Sequence, residues 1–261
     1  MTGRTLLGLL TPSSNTVMEP MVGQVLAGTP DITAHFGRFR VTEISLSEAA
    51  LGQFDFGAQL AAADLLADAR VDAIAWGGTS GGWVGIDQDR ELCRQITERT
   101  GAPATTSTLA LLAAFEAMGV ETYALVTPYL EDVQNRIVEN FAAAGYRCVA
   151  ERHLDDKGNF SFSEFGPDAI AGLVRDVAAA RPDAIAIYCT NFNGTRLAPE
   201  LEDELGLPVL DSIALTAWHT MQLAGADPRR IRGWGRLFTH LAEIPTATIR
   251  PSGEGSLRPV R

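Results

Sequence analysis

Short apolar runs alternate with longer amphipathic stretches along the whole chain. The apolar runs, bounded by Gly, Pro or Asp, predict strands over Thr5–Leu10, Ile32–Val41, Ala73–Trp76, Thr122–Val126, Arg147–Glu151, Ala184–Tyr188 and the short Val209–Leu210. Helical periodicity predicts helices over Phe56–Ala69, Asp87–Thr100, Ser107–Met118, Leu130–Ala144, Pro167–Ala180 and Ile213–Leu223. Strands alternating with helices imply mostly parallel sheet with helices on both faces. The run from Pro245 to Arg261, rich in Pro, Ser, Gly and Arg, reads as a flexible tail.

The pattern also repeats at long range. Leu10-Thr11-Pro12-Ser13 ends one strand, and Val126-Thr127-Pro128-Tyr129 ends another. Val71-Asp72-Ala73-Ile74-Ala75 recurs as Pro182-Asp183-Ala184-Ile185-Ala186, and Gly101-Ala102-Pro103 with its following helix recurs from Gly206-Leu207-Pro208. Three matches in the same order, at separations of 116, 111 and 105 residues, indicate a duplicated unit shortened by loop deletions. The expected fold is α/β: two parallel-sheet lobes related by a pseudo-two-fold, with the active site in the cleft between them. Residues 1–110 plus 215–261 would form the first lobe and residues 111–214 the second. Ligands bind beyond the carboxyl ends of parallel strands, so the residues just after strands are the ones to inspect.

Composition narrows the function classes. The chain has 261 residues and a formal net charge of −11, which argues against nucleic acid or an anionic membrane surface as partner. The longest strongly apolar stretch, Leu109 to Phe115, is broken by Glu116, so no membrane span is expected, and no targeting signal is visible. Three cysteines without Cys-x-x-Cys or Cys/His clustering argue against disulfides or structural zinc and point to a reducing cytoplasm. Four histidines lack ligand spacing, and no metal site is expected. Neither nucleotide-binding glycine motif is present in context, and neither a Ser/His/Asp triad nor a Gly-x-Ser-x-Gly elbow is expected.

One strand-end residue carries chemistry. Matching Asp72 to Asp183 sets Gly78 opposite Cys189, Thr79 opposite Thr190 and Ser80 opposite Asn191. Cys189 can act as proton donor, base or nucleophile, and neighbouring hydroxyls and helix N-termini are expected to favour its thiolate. Thr79 and Ser80, between glycines, offer hydroxyl and N–H groups to a carboxylate or enolate oxygen. Ser14 and Asn15 sit in a helix-capping cluster that doubles as an anion site, and Tyr129 follows Pro128 at a helix start. Cys93 and Cys148 fall within a helix and a strand and read as packing residues.

These segments resemble the aspartate/glutamate racemase superfamily, in particular its maleate isomerase and arylmalonate decarboxylase branch. The likeness rests on Thr11 through Thr16 with Met18-Glu19-Pro20, Gly78-Thr79-Ser80, Thr106-Ser107-Thr108, Thr127-Pro128-Tyr129 with Asp132-Val133, Cys189-Thr190 and Gly233 through Phe238. It implies two facing catalytic positions, both cysteine in racemases and maleate isomerases; here the first is Gly78. Arylmalonate decarboxylase is similar in pairing Gly-Thr-Ser with a lone cysteine. The resemblance therefore implies a cofactor-independent decarboxylase of a malonate-type dicarboxylate, its enediolate protonated by Cys189. Thr79, Ser80, Tyr129 and Thr190 (through its N–H) would bind the enediolate oxygens, and Asn191 lies beside them. Pro12 through Thr16 resembles maleate isomerase instead, which makes Asn15 a substrate contact, adds Asn159 as a second one, and keeps a cis-trans isomerase as the alternative. A non-catalytic ligand-binding relative is a further alternative. The implied partner is a small dicarboxylate, and assembly with further copies of the chain stays open.

Overall fold

The computed structural model describes residues 3–240; the expected C-terminal tail and the end of the first lobe's second segment lie outside the described residues. The first sheet contains β1 (Thr5–Pro12), β2 (Ile32–Phe39), β3 (Ala73–Trp76) and β4 (Ala104–Thr106), in the order β2-β1-β3-β4. The second contains β5 (Thr122–Thr127), β6 (Arg147–His153), β7 (Ala184–Ile187) and β8 (Val209–Asp211), in the identical order β6-β5-β7-β8. Every strand pair within the two sheets is parallel. Helices α1 (Met18–Val25), α2 (Glu48–Leu51), α3 (Phe56–Asp68), α4 (Gly81–Val84), α5 (Ile86–Thr100) and α6 (Ser107–Met118) accompany the first sheet in the chain. Helices α7 (Glu131–Ala143), α8 (Pro167–Ala178), α9 (Ala198–Leu205), α10 (Ser212–Leu223) and α11 (Arg236–His240) follow the second.

The central strands β3 and β7 are wholly buried, so their side chains are apolar without alternation. The duplication extends to individual hydrogen bonds. A carboxylate oxygen of Asp72 accepts the N–H of Leu6 at 2.7 Å, and one of Asp183 accepts that of Thr122 at 2.8 Å. Ile74 N–H bonds to Pro103 O and Ile185 N–H to Pro208 O, both at 2.9 Å. Ser107 Oγ donates to Trp76 O at 3.5 Å, and Ser212 Oγ to Ile187 O at 3.1 Å. Helices α6 and α10 lie side by side, joined by Ser107 to Thr216 at 2.7 Å, and Thr105 on β4 meets His219 of α10 at 2.8 Å. The expected lobe boundaries after residues 110 and 214 fall inside these two helices.

The sequence pattern leaves out β4 and helices α2, α4, α9 and α11, and marks α1 only by a capping cluster; β4 and α9 show why. Strand β4 is three residues long and two of them are threonine; helix α9 carries five acidic or proline positions in eight. Neither has an apolar run long enough to stand out, although the repeat that paired Pro103 with Pro208 marks where β4 and β8 start. Among the described residues, no helix is long and apolar enough to cross a membrane.

Candidate active site

The loops after β1, β3, β5 and β7 converge at one small pocket, about 270 Å³ including its mouth. Gly78, Thr79 and Ser80 reach it from the first sheet, and Tyr129, Cys189 and Thr190 from the second. Its remaining walls are largely apolar: Pro12, Val41, Ile44, Phe54, Trp76 and Trp83. Among the described residues, no lysine, arginine or histidine lines it. Asn159 contributes from the loop after β6. Part of the wall is a seam between lobes, where Ile44 N–H bonds to Lys157 O at 2.9 Å and Glu43 pairs with Gly158.

Cys189 is 3% exposed and lines the pocket. Burial pushes its thiol up to about 12, only partly offset by Tyr129 and by backbone N–H groups, one of which, from Asn191, reaches the sulfur at 3.4 Å. The expected thiolate is therefore corrected to a protonated thiol. The physical reason is desolvation of the charged form, reinforced by the carboxyl of Asp211. No helix begins at this loop to oppose it, since α9 starts only at Ala198.

Hydroxyl donors surround the thiol. Thr79 Oγ1 and Tyr129 OH are 2.7 Å apart, and burial holds the Tyr129 phenol well above its ordinary range, so it stays a neutral donor. Ser80 Oγ accepts the indole N–H of Trp76 at 3.0 Å. Among the described residues, the N–H groups of Thr79, Ser80, Cys189 and Thr190 bond to no backbone carbonyl. Gly78 through Gly82 spells Gly-x-Ser-x-Gly at a strand-to-helix turn, which corrects the expectation that this elbow is absent. With no histidine on the pocket wall, Ser80 lacks the base that a nucleophilic serine needs.

Of the residues singled out from sequence, Thr79, Ser80, Tyr129, Cys189, Thr190 and Asn159 line the pocket. Ser14, Asn15 and Asn191 stand behind it. Asn15 spends its full hydrogen-bonding capacity inside the protein: Nδ2 donates to Thr190 O and Oγ1, both at 3.1 Å, and Oδ1 accepts from Val17 and Met18 N–H. Asn191 Oδ1 accepts the Thr16 N–H at 2.9 Å, and its Nδ2 donates to Asn159 O at 2.5 Å. Asn159 in turn donates to Ser14 Oγ at 2.8 Å. These side chains lace the two lobes together. Sequence reasoning named no apolar wall residue as part of the site, Trp76 and Trp83 above all, because an apolar residue at a strand end or in a short helix reads as core. Trp83 differs from core in one respect: among the described residues, its buried indole N–H has no acceptor.

The arrangement combines a protonated thiol, a cluster of donors and an apolar cavity, which suits protonation of a carbanion next to a bound carboxylate. Residues 15–238 match the family model described as arylmalonate decarboxylase. The chain belongs to the arylmalonate decarboxylase family. Within it, similarity runs to two named activities. Maleate isomerase of Geobacillus stearothermophilus is 24% identical over 227 residues, covering 83% of this chain and 90% of that protein. Arylmalonate decarboxylase of Bordetella bronchiseptica is 32% identical over 145 residues, 55% of this chain and 60% of that protein. A serine-for-cysteine mutant of Nocardia farcinica maleate cis-trans isomerase, carrying a covalently bound succinylcysteine intermediate, superposes with a TM-score of 0.82 at 22% identity. That match covers 91% of this chain and 99% of the other.

Proposed function

We propose that this family member is a decarboxylase of malonate-type diacids in which Cys189 delivers the proton. The observation that carries the reading is a single thiol, held protonated, in a pocket with one polar corner and otherwise apolar walls. One substrate carboxylate would occupy the polar corner, its oxygens meeting the Ser80, Thr79 and Tyr129 hydroxyls and the free N–H groups of Thr79, Ser80 and Thr190. The other would lie against apolar surface such as Val41 and Ile44, poorly solvated and destabilised as an anion.

Cleavage of the bond between that carboxylate and the central carbon releases CO₂. The bonding electrons pass into the remaining carboxylate as an enediolate, whose oxygens the donors stabilise. The central carbon then takes the Cys189 proton. The resulting thiolate, disfavoured in this buried setting, regains a proton from solvent. A substituent on the central carbon would pack against the apolar wall that Phe54 and Trp83 form, their rings meeting edge to face with centroids 5.8 Å apart.

The longer alignment with maleate isomerase supports a second reading, a cis-trans isomerase of a maleate-like diacid. That chemistry asks the sulfur to attack a double bond as thiolate, and a second dianion end would need donors that the apolar walls do not offer. One experiment separates the two: incubate the protein with phenylmalonate, methylmalonate and maleate, and follow CO₂ and fumarate. CO₂ from an aryl- or alkylmalonate without fumarate from maleate is the expected result. Fumarate formation with no CO₂ would replace the proposal with the isomerase.

A further inference from the structure

Gly78 is not simply a position without a side chain. A Cβ built there would collide with the six-membered ring of the Trp76 indole. The indole has little room to move aside: it is 1% exposed, its ring centroid lies 4.8 Å from that of Phe39, and its N–H is bound to Ser80 Oγ. By the duplication, Gly78 is the counterpart of Cys189 and Trp76 the counterpart of Ile187, since β3 and β7 are offset by the same 111 residues. The indole thus fills, on the first sheet, the place that the thiol holds on the second. Its hydrogen bond has a second consequence. Ser80 Oγ uses a lone pair on the indole N–H, and among the described residues its own proton has no acceptor, so that proton is left for a bound anion.

We propose that Trp76 is a positioning and specificity-determining residue of this site. It seals the face of the reacting carbon opposite Cys189, and it orients the Ser80 hydroxyl toward the substrate carboxylate. The pairing makes residues 76 and 78 interdependent: a side chain at 78 requires a smaller one at 76. Facial selectivity would then come from a solid wall across from the thiol as well as from the thiol itself. This inference rests on the decarboxylase reading, but part of its test does not.

Thermal unfolding of Gly78→Ala, alone and combined with Trp76→Leu, tests the packing. Overpacking of a rigid wall should lower Tm by roughly 4–8 °C in the parent background and by less than about 2 °C when Trp76 is already shortened. Trp76→Met serves the same purpose if the leucine variant does not fold. Equal losses in both backgrounds would overturn the pairing. Turnover tests the catalytic part, using a malonate bearing both a methyl and a phenyl group. Trp76→Phe, which keeps an aromatic wall but loses the N–H, should lower kcat roughly tenfold with KM within about twofold. Trp76→Leu should release a mixture of enantiomers where the parent gives one. Retention of parental kcat and a single enantiomer in both variants would refute the assignment of Trp76. If the parent releases no CO₂ from any malonate, the decarboxylase reading and the catalytic role of Trp76 fall together, while the thermal comparison still decides the packing.

Discussion

At the residue scale, the protonation state of Cys189 decides the chemistry. A thiol whose proton is held up to about 12 is a poor nucleophile at neutral pH, yet an adequate acid toward a carbanion. Cys189→Ser keeps the size but offers a far weaker acid, and should lower kcat on the order of a hundredfold or more with little change in KM. An unchanged rate would remove the sulfur from the mechanism. The pH profile gives an independent check. Because burial raises the folded-state value above that of an ordinary thiol, the proton-bearing form persists through the range where a free cysteine ionises. The kcat of the parent protein should therefore stay flat from about pH 7 to about pH 10, and a basic limb centred near 8.5 would contradict the assignment.

At the scale of elements, strand-end loops carry the donors and interlobe asparagines hold those loops in register. Asn15 caps the start of α1 through Val17 and Met18 and, with its other end, clamps Thr190 in the opposite lobe. Removing it leaves buried donors and acceptors unpaired on both sides. Asn15→Ala should cost about 2–3 kcal/mol in urea unfolding, at unchanged m-value, and should also depress kcat because the Thr190 carbonyl and hydroxyl lose their anchor and the loop with them. A variant that loses stability but keeps full kcat would show that the clamp does not govern the loop. The Gly-Trp-Gly segment leading into α11 is tied down in a comparable way: Glu202 on α9 accepts the Arg236 N–H at 2.7 Å, and Gly235 has a φ of +95°, a conformation that a side chain would strain.

For the whole molecule, buried carboxyls shape the dependence of stability on pH. Burial raises both Asp89 and Asp211 to about 7 from 3.8. The folded protein therefore holds protons that the unfolded chain has released between those values. Their contribution is complete below about pH 4 and is lost as pH rises through about 7. Asp183 acts in the opposite sense: N–H and hydroxyl bonds from Thr122 lower it, so its contribution fades as pH falls through its folded value. Stability should peak in mildly acidic solution, with Tm falling by roughly 5 °C or more between pH 5 and pH 8. Asp211→Asn, which cannot ionise, should flatten that decline in a series of melts across this range. An undiminished slope would assign the effect elsewhere.

The sequence alone determined the layered α/β fold and its duplication, because parallel strands buried on both faces must be uniformly apolar and each unit repeats the same turn residues at its strand ends. It also singled out Cys189, Thr79, Ser80 and Tyr129, since polar residues immediately after buried strands have little structural reason to be there. Tertiary structure decided what those residues can do. The ionisation of Cys189 depends on how completely the surrounding chain removes water, which no local pattern encodes. The asparagines point into the lobe interface because residues some 175 positions apart meet there. The role of Trp76 is visible only when its ring is seen over Gly78, since an aromatic residue at a strand end is otherwise indistinguishable from core.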